Sequence, residues 1–452
     1  MILRDPVHDL VSFESDEESI VPKLLATAEV QRLRRIKQLG VTHLVFPGAE
    51  HSRFTHAIGA AHVMTRLVRR LRALHEELPF WQQLASDRAR DVLAAALLHD
   101  VGHGPYSHLF EEAIPGAPHH ETWSLRIVRD PGTEVHRVLA EHDPGLPERV
   151  ASLIAGADAT TPYPLPYLAH AVSGTFDVDR CDYLLRDAHM TGVRYGLFDL
   201  DWLLRSLRFA PHDTEAPRFA IDGMKGLPAI EGFVLARRFM FEQVYLHKAT
   251  RAAEVMIKAI FSRAAHALRE GTRLPQVPHA LALAAHGEEI PLGAYLDLDD
   301  VVVGAALAAW ERGPDPVLAD LCRRLRVRNI GKTVELTGEL GSRDAMDRLL
   351  AEARELAVGI GLDPDVHVAL DVAEDVQSFG SPDAVAPPKG AEPSLEVILP
   401  DGRARPLGAV SPVLARLDNL PIRRIRLVVP AEIRADVQSR LPAAREAAAR
   451  SA

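Results

Sequence analysis

Seven consecutive apolar residues, Val92 to Leu98, run into an adjacent histidine–aspartate pair, His99-Asp100. An alanine- and leucine-rich run of this kind reads as a helix bound for the interior. It carries two titratable groups inward with it, which is costly unless they meet a partner. Gly102, Gly104 and Pro105 then turn the backbone sharply and bring His103 and His108 back over the same spot. Neighbouring helical side chains normally diverge, but at a helix end one ion reaches both. Imidazole nitrogen and carboxylate oxygen are the ligands of a borderline divalent metal such as Fe, Mn, Ni or Zn.

Two ligands do not close a site, and two other segments offer more. Upstream, His51-Ser52-Arg53-Phe54-Thr55-His56 opens a periodic helix whose apolar face is Ile58, Ala61, Val63, Leu67, Val68 and Leu71. His56 falls in its first turn, with Arg53 just ahead as a fork for phosphate. Downstream, Phe176-Asp177-Val178-Asp179-Arg180-Cys181-Asp182-Tyr183 leads into a helix through Leu184, Leu185 and Ala188. Acids at a helix start cap it and suit its dipole; beside a waiting metal they are also ligand candidates. The ordinary pKa of an imidazole is near neutral, so either His103 or His108 is a candidate proton donor to a leaving oxygen. Glu111 lies one helical turn beyond His108 and is placed to orient it.

Composition narrows the partners. The net charge of -10 argues against a nucleic-acid backbone as ligand, which needs a basic surface. An acidic protein can still hold a nucleotide in a locally basic pocket. Only Cys181 and Cys322 are present, so no disulfide framework is implied and a reducing cytoplasm fits. Met1-Ile2-Leu3-Arg4-Asp5 has no apolar signal core, and the apolar stretch from Val301 to Trp310 is too short to span a bilayer.

Helical patterns dominate the first two thirds, at 22–38, 54–77, 87–99, 105–113, 120–129, 133–142, 147–155, 166–172, 179–189, 199–207, 228–267 and 299–311. Phe219 to Gly223 reads as a short strand and turn. Beyond about residue 325 strands appear at Thr333–Leu336, His367–Leu370, Ser394–Leu399 and Arg424–Val429, with a helix at 344–357. The expected class is mainly α: a large helical domain, residues 1–325, and a smaller mixed α/β region, residues 326–452, with a Pro-rich loop near 381–393. Ile330-Gly331-Lys332-Thr333 has Arg326 where a phosphate loop needs its first glycine, so that reading is rejected.

The order His56, His99-Asp100, Asp179 resembles the H…HD…D signature of the HD-domain phosphohydrolases. Longer strings resemble one branch of them. These are Asp5-Pro6-Val7-His8, Gln31-Arg32-Leu33-Arg34-Arg35-Ile36-Lys37-Gln38-Leu39-Gly40, the segment from Phe46 to His56 and the run from His99 to His108. That branch holds the SAM-and-HD-domain deoxynucleoside triphosphate triphosphohydrolases and their bacterial relatives. The resemblance implies an HD-type helical core and a divalent ion (Fe, Mn, Mg, Ni or Zn) on His56, His99, Asp100 and Asp179. It implies His108 as general acid, with His103, Glu111, His120 and Glu121 around it. Arg180, directly after Asp179, faces the same ion where vertebrate members tend to carry Lys. Tyr183 and Asp187 contact the sugar and its 3′-hydroxyl, Gln38 and Leu39 line the sugar pocket, and Arg53, Arg237, Tyr245 and Lys248 serve the phosphates and base. The implied reaction is attack of water at the α-phosphorus of a dNTP, giving a deoxynucleoside and triphosphate.

Relatives activated by a guanine nucleotide at a subunit contact read the base with an Asp; here the aligned residue is Ala26. Arg34, Arg328 and Lys332 resemble the phosphate side of that site, which leaves an anion at a homo-oligomer contact as the expectation. Two alternatives stand beside the dNTP reaction. One is another HD-type nucleotide phosphohydrolase, a nucleotidase or phosphodiesterase. The other is a nonenzymatic nucleotide sensor on the same fold.

Overall fold

The computed structural model describes residues 1–114, 117–156, 159, 161–174, 176–210, 217–375, 395–418, 420 and 422–451. The Pro-rich loop expected at 381–393 lies outside them. Three helices form the frame of the interior. Arg53–Ala73 packs against Ser86–Leu98 on one side and Val178–Thr191 on the other. Every residue from Val92 to Leu98 is buried, as an all-apolar helix requires. Leu146–Ala155 and Pro166–Val172 cover the far side of that helix and complete the largest core cluster.

A second cluster surrounds the helix Lys248–Arg269, where Phe261, Trp310 and Leu321 are buried together. The helix Pro316–Arg326 packs along it. A third lies under a three-stranded antiparallel sheet in which Ile422–Val429 is central, flanked by Lys332–Glu335 and Ala369–Asp375. Lys332 thus begins a strand, which agrees with rejecting a phosphate loop there. In a four-stranded sheet Phe219–Asp222 pairs in parallel with Glu396–Ile398, so sheet pairing joins residues on either side of position 325. No helix among the described residues is long and apolar enough to cross a membrane. Both cysteines are free and buried.

Three helical expectations break at particular places. The pattern at 22–38 divides into Ile20–Leu25, Ala28–Arg32 and a turn at Leu33–Arg35, after which Lys37 bridges to Ser52. Arg32, at the end of the second piece, is fully buried and donates to the Leu298 and His103 carbonyls. The expected helix 105–113 shrinks to Leu109–Ala113, because Tyr106 and Ser107 take positive φ. The pattern at 228–267 breaks into Leu227–Met240, a π-turn Phe241–Tyr245 and Lys248–Arg269, with His247 extended between them. The opening hairpin, Ile2–Asp5 with Asp9–Ser12, has too little alternation to be read from sequence.

Candidate metal centre and adjoining cavity

Four donor groups meet where Arg53–Ala73, the end of Ser86–Leu98 and Val178–Thr191 converge. His56 Nε2 lies 3.0 Å from Asp179 Oδ1, 3.3 Å from His99 Nε2 and 3.7 Å from Asp100 Oδ2. His99 Nε2 lies 3.4 Å from Asp179 Oδ1 and 3.5 Å from Asp100 Oδ1. Burial opposes charging His56, but its bonds to Asp179 and Asp182 outweigh this and hold its pKa at about 10. Burial also opposes charge on Asp100, yet His99, Arg53 and His103 hold it well below the usual carboxylate range. Asp179 is lowered likewise, by His56 and His99 against its own burial.

The far nitrogen of each imidazole is already committed. His99 Nδ1 meets the Ala96 carbonyl at 2.9 Å. His56 Nδ1 meets Asp182 Oδ2 at 2.8 Å. Both Nε2 atoms therefore face the two carboxylates, the arrangement by which outer partners orient metal-ligating histidines. This donor set fits a divalent ion, which would replace the protons now shared among the four groups.

Asp182 anchors a buried network that the sequence did not signal. It also accepts from His8 Nε2 at 2.7 Å and from Arg186 through two bonds of 2.8 Å, and Arg186 continues to Asp5 at 2.8 Å. The Asp5-Pro6-Val7-His8 string thus sits behind His56. Only glycine fits at position 59, where a Cβ would approach Asp182 Oδ1 to 1.9 Å. Gly102 is constrained in the same way by the backbone of the His120–Arg129 helix, 2.2 Å from where its Cβ would lie.

A second cluster flanks the centre. His103 Nε2 lies 3.2 Å from Asp100, and its ring stacks on His120 with centroids 3.8 Å apart. Burial, reinforced by Arg53, pushes His103 well below its ordinary pKa, so it is neutral. Glu111 accepts from His108 Nδ1 at 2.8 Å and from His120 Nδ1 at 3.1 Å. These two histidines overcome its burial and lower its pKa. Glu121 is not part of this group: its side chain is exposed and its nearest imidazole is His119, 3.7 Å away.

A cavity of about 470 Å³ opens from the centre, within the range of small-molecule sites. Asp100, Asp179, Arg53, His103, His108 and His120 form its polar end. Arg53 is held by Asp100 and, at 2.9 Å, by Ser107 Oγ. Ser107 in turn bonds the Lys37 and Gln38 carbonyls, and Asp300 accepts from the Lys37 and Tyr106 amides, fixing the wall that carries Gln38 and Leu39. Asp187 is bracketed by His51 Nε2 and the Tyr245 hydroxyl, each at 2.8 Å, with Tyr183 beside it. The π-turn at Phe241–Tyr245 delivers that hydroxyl.

Other expected residues fall elsewhere. Arg180 bonds Asp177 at 2.9 Å, Arg237 pairs with both oxygens of Asp375 at 3.0 Å, and neither lines the cavity. Lys248 is exposed at a helix start, also outside the cavity lining. Arg34 stacks on Phe54 and bonds Gln31, Arg328 bonds the Leu44 carbonyl, and Lys332 is exposed, so each is at the surface. The cavity lining also includes Glu112, Phe241, Arg251 and Glu254, residues given no role from the sequence. Arg251 bonds both Asp371 and Glu254 at 2.6 Å. Burial raises the Glu254 carboxyl to about 7 despite that arginine.

A His, His-Asp and Asp cluster opening into a cavity is an arrangement that can hold a divalent ion beside a small-molecule site. The HD domain family model matches residues 53–160. The chain is 36% identical to the uncharacterized protein YwfO of Bacillus subtilis, over 83% of this chain and 80% of that one. It is 29% identical to the deoxynucleoside triphosphate triphosphohydrolase SAMHD1 of Danio rerio, over 79% of this chain and 59% of the relative. A phosphohydrolase from Bacteroides thetaiotaomicron superposes with a TM-score of 0.77 at 28% identity, covering 95% of this chain and 99% of the other. The chain belongs to the HD-domain phosphohydrolase superfamily, together with YwfO.

Proposed function

We propose that the chain hydrolyses deoxynucleoside triphosphates to deoxynucleoside and triphosphate, with His56, His99, Asp100 and Asp179 as the ligands of one divalent ion. The observation that carries this reading is that a single cavity joins Asp100 and Asp179 to Gln38, Leu39, Tyr183, Asp187 and Tyr245. A divalent ion held by these four residues would supply Lewis-acid charge and acidify water there. Water attacks the α-phosphorus and the bond from phosphorus to the sugar 5′-oxygen breaks. His108 protonates that oxygen. Its Nδ1 is committed to Glu111, so Nε2 is the nitrogen that gives up the proton. Glu111 and His120 keep the ring in place. Arg53, tied to Asp100 and Ser107, offers its charge to the phosphoryl oxygens. Gln38 Oε1 is buried with no donor among the described residues, which suits it to accept from a sugar hydroxyl. Tyr183 and Asp187 position the sugar, and a tyrosine packed beneath it disfavours a 2′-hydroxyl.

A second reading has its own support. Arg180 and Arg237 are bound to Asp177 and Asp375 rather than open to the cavity. That leaves few cations for a triphosphate tail and favours a nucleotide with fewer phosphates. Chromatography of products from all four dNTPs, the NTPs and the dNMPs with Mn, Mg or Fe separates the two. Intact triphosphate supports the first reading. Orthophosphate as the sole phosphorus product replaces it with the second, and no turnover of any nucleotide refutes both.

A further inference from the structure

Beside the centre lies a second set of metal-ligand types. Donor atoms of His108, Glu111, His119 and His120 all fall within 4.8 Å of one another. Glu111 Oε1 is their hub: His108 Nδ1 lies at 2.8 Å, His120 Nδ1 at 3.1 Å and His119 Nε2 at 3.6 Å. The other carboxylate oxygen is taken by the His120 amide at 2.6 Å, which aims Oε1 at the three rings. Around a tetrahedral zinc the ligand atoms stand about 3.4 Å apart. The separations here bracket that value, as do the 3.0 and 3.7 Å separations at the first centre.

His119 is the informative member. It has no part in the hydrolytic machinery, and half of its side chain is open to water. Even so, its Nε2 faces the same oxygen as the His108 and His120 imidazoles, with its ring centroid 4.1 Å from that of His120. His108 is also half exposed, so an ion reaches the set directly from solvent. Three imidazoles and one carboxylate are an N-rich set, which selects zinc, copper or nickel over magnesium.

We propose that His108, Glu111, His119 and His120 form a second, exchangeable divalent-metal site of zinc type, whose occupation withdraws His108 from proton donation. Metal binding at this site stands on its own geometry; only its inhibitory consequence rests on the role given to His108 above. Bound through Nδ1, His108 sits beside a divalent charge and holds its remaining nitrogen as a poorer donor in a fixed pose.

The test is zinc and cobalt titration of metal-free full-length protein against a chromophoric chelator. Wild type takes up two equivalents per chain. His119→Ala takes up one, or binds the second at least tenfold more weakly, while Asp179→Ala loses the other equivalent. Two equivalents of unchanged affinity in His119→Ala overturn the site. So does a single equivalent in wild type that Asp179→Ala abolishes. These readings need no turnover, so they decide the site even if no nucleotide is hydrolysed. In manganese-loaded enzyme, excess zinc inhibits wild type, and His119→Ala requires at least tenfold more. An unchanged inhibiting concentration overturns the inhibitory part.

Discussion

Replacing Asp182 with asparagine changes one atom in a group that does not line the cavity beside the centre, and it is expected to disable the metal centre. Asp182 Oδ2 accepts from His56 Nδ1 and Arg186 Nε, and Oδ1 accepts from His8 Nε2 and Arg186 Nη2, all at 2.7–2.8 Å. Arg186 and His8 overcome the burial of this carboxyl and lower its pKa well below the ordinary value, so it is an anion that only accepts and both histidines must donate to it. In either flip, an asparagine turns its NH₂ toward two of those four donors. Two charge-assisted bonds lost at roughly 1.5–3 kcal/mol each come to about 3–6 kcal/mol. Removing one partner of a buried pair costs a similar 3–5 kcal/mol or so. His56 Nδ1 then meets either the NH₂ or a neutral carbonyl in place of a carboxylate, and weakening this outer partner typically lowers metal affinity by about 10–100-fold. Urea midpoints and competitive manganese titration measure the two effects separately. Asp5→Asn is the control, since it touches Arg186 but not His56: it lowers stability and leaves metal affinity unchanged. The reasoning fails if Asp182→Asn binds manganese like wild type, or if its stability falls by under 1 kcal/mol or so, less than a single such bond.

Asp100→Ala removes two donor oxygens and leaves buried Arg53 without its carboxylate, so the protein loses its metal and its turnover together, as metal analysis and product assay will report. His108→Ala keeps the metal and slows hydrolysis by something like 10²–10⁴-fold, with the metal content as the check on specificity. Gly59→Ala forces a methyl into Asp182 and Arg186 and destabilises the fold by roughly 3 kcal/mol, read as a drop in the urea midpoint. Glu254 has a folded pKa of about 7 against an ordinary 4.5. The folded state therefore binds its proton more tightly, and stability is lost as pH rises across that interval. Glu254→Gln flattens this slope in a series of urea midpoints taken at different pH values.

The sequence made legible what local pattern determines. Val92 to Leu98 announces a buried helix, and His99-Asp100 at its end announces where polar groups enter the core. His56 and Asp179 follow from helix starts and from the order of the signature. Asp182 stayed hidden because three residues beyond Asp179 it reads as an ordinary acid on a helix. Its burial depends on Gly59, 123 positions upstream, letting two helices touch. Arg180 is diverted by Asp177, a helix cap whose side chain also accepts from the Arg180 amide, a local competition that the charge pattern does not resolve. Arg237 is diverted by Asp375, too distant in sequence for any periodicity to reveal. The break at Phe241–Tyr245 has no proline or glycine to mark it, and a tertiary contact accompanies it, the Asp187 carboxylate that receives the Tyr245 hydroxyl.

Asp371 and Asp375 sit four residues apart on the strand Ala369–Asp375, hence on the same side of it, and each neutralises an arginine of the helical part, Arg251 and Arg237. The pairing of that strand with Ile422–Val429 therefore sets the electrostatic potential around the cavity as well as closing a sheet. A slip by one position would turn both carboxylates to the opposite side and strand two cations at once. Seen this way, the alignment of a peripheral strand acts as a tuning screw for how strongly the chamber attracts phosphate.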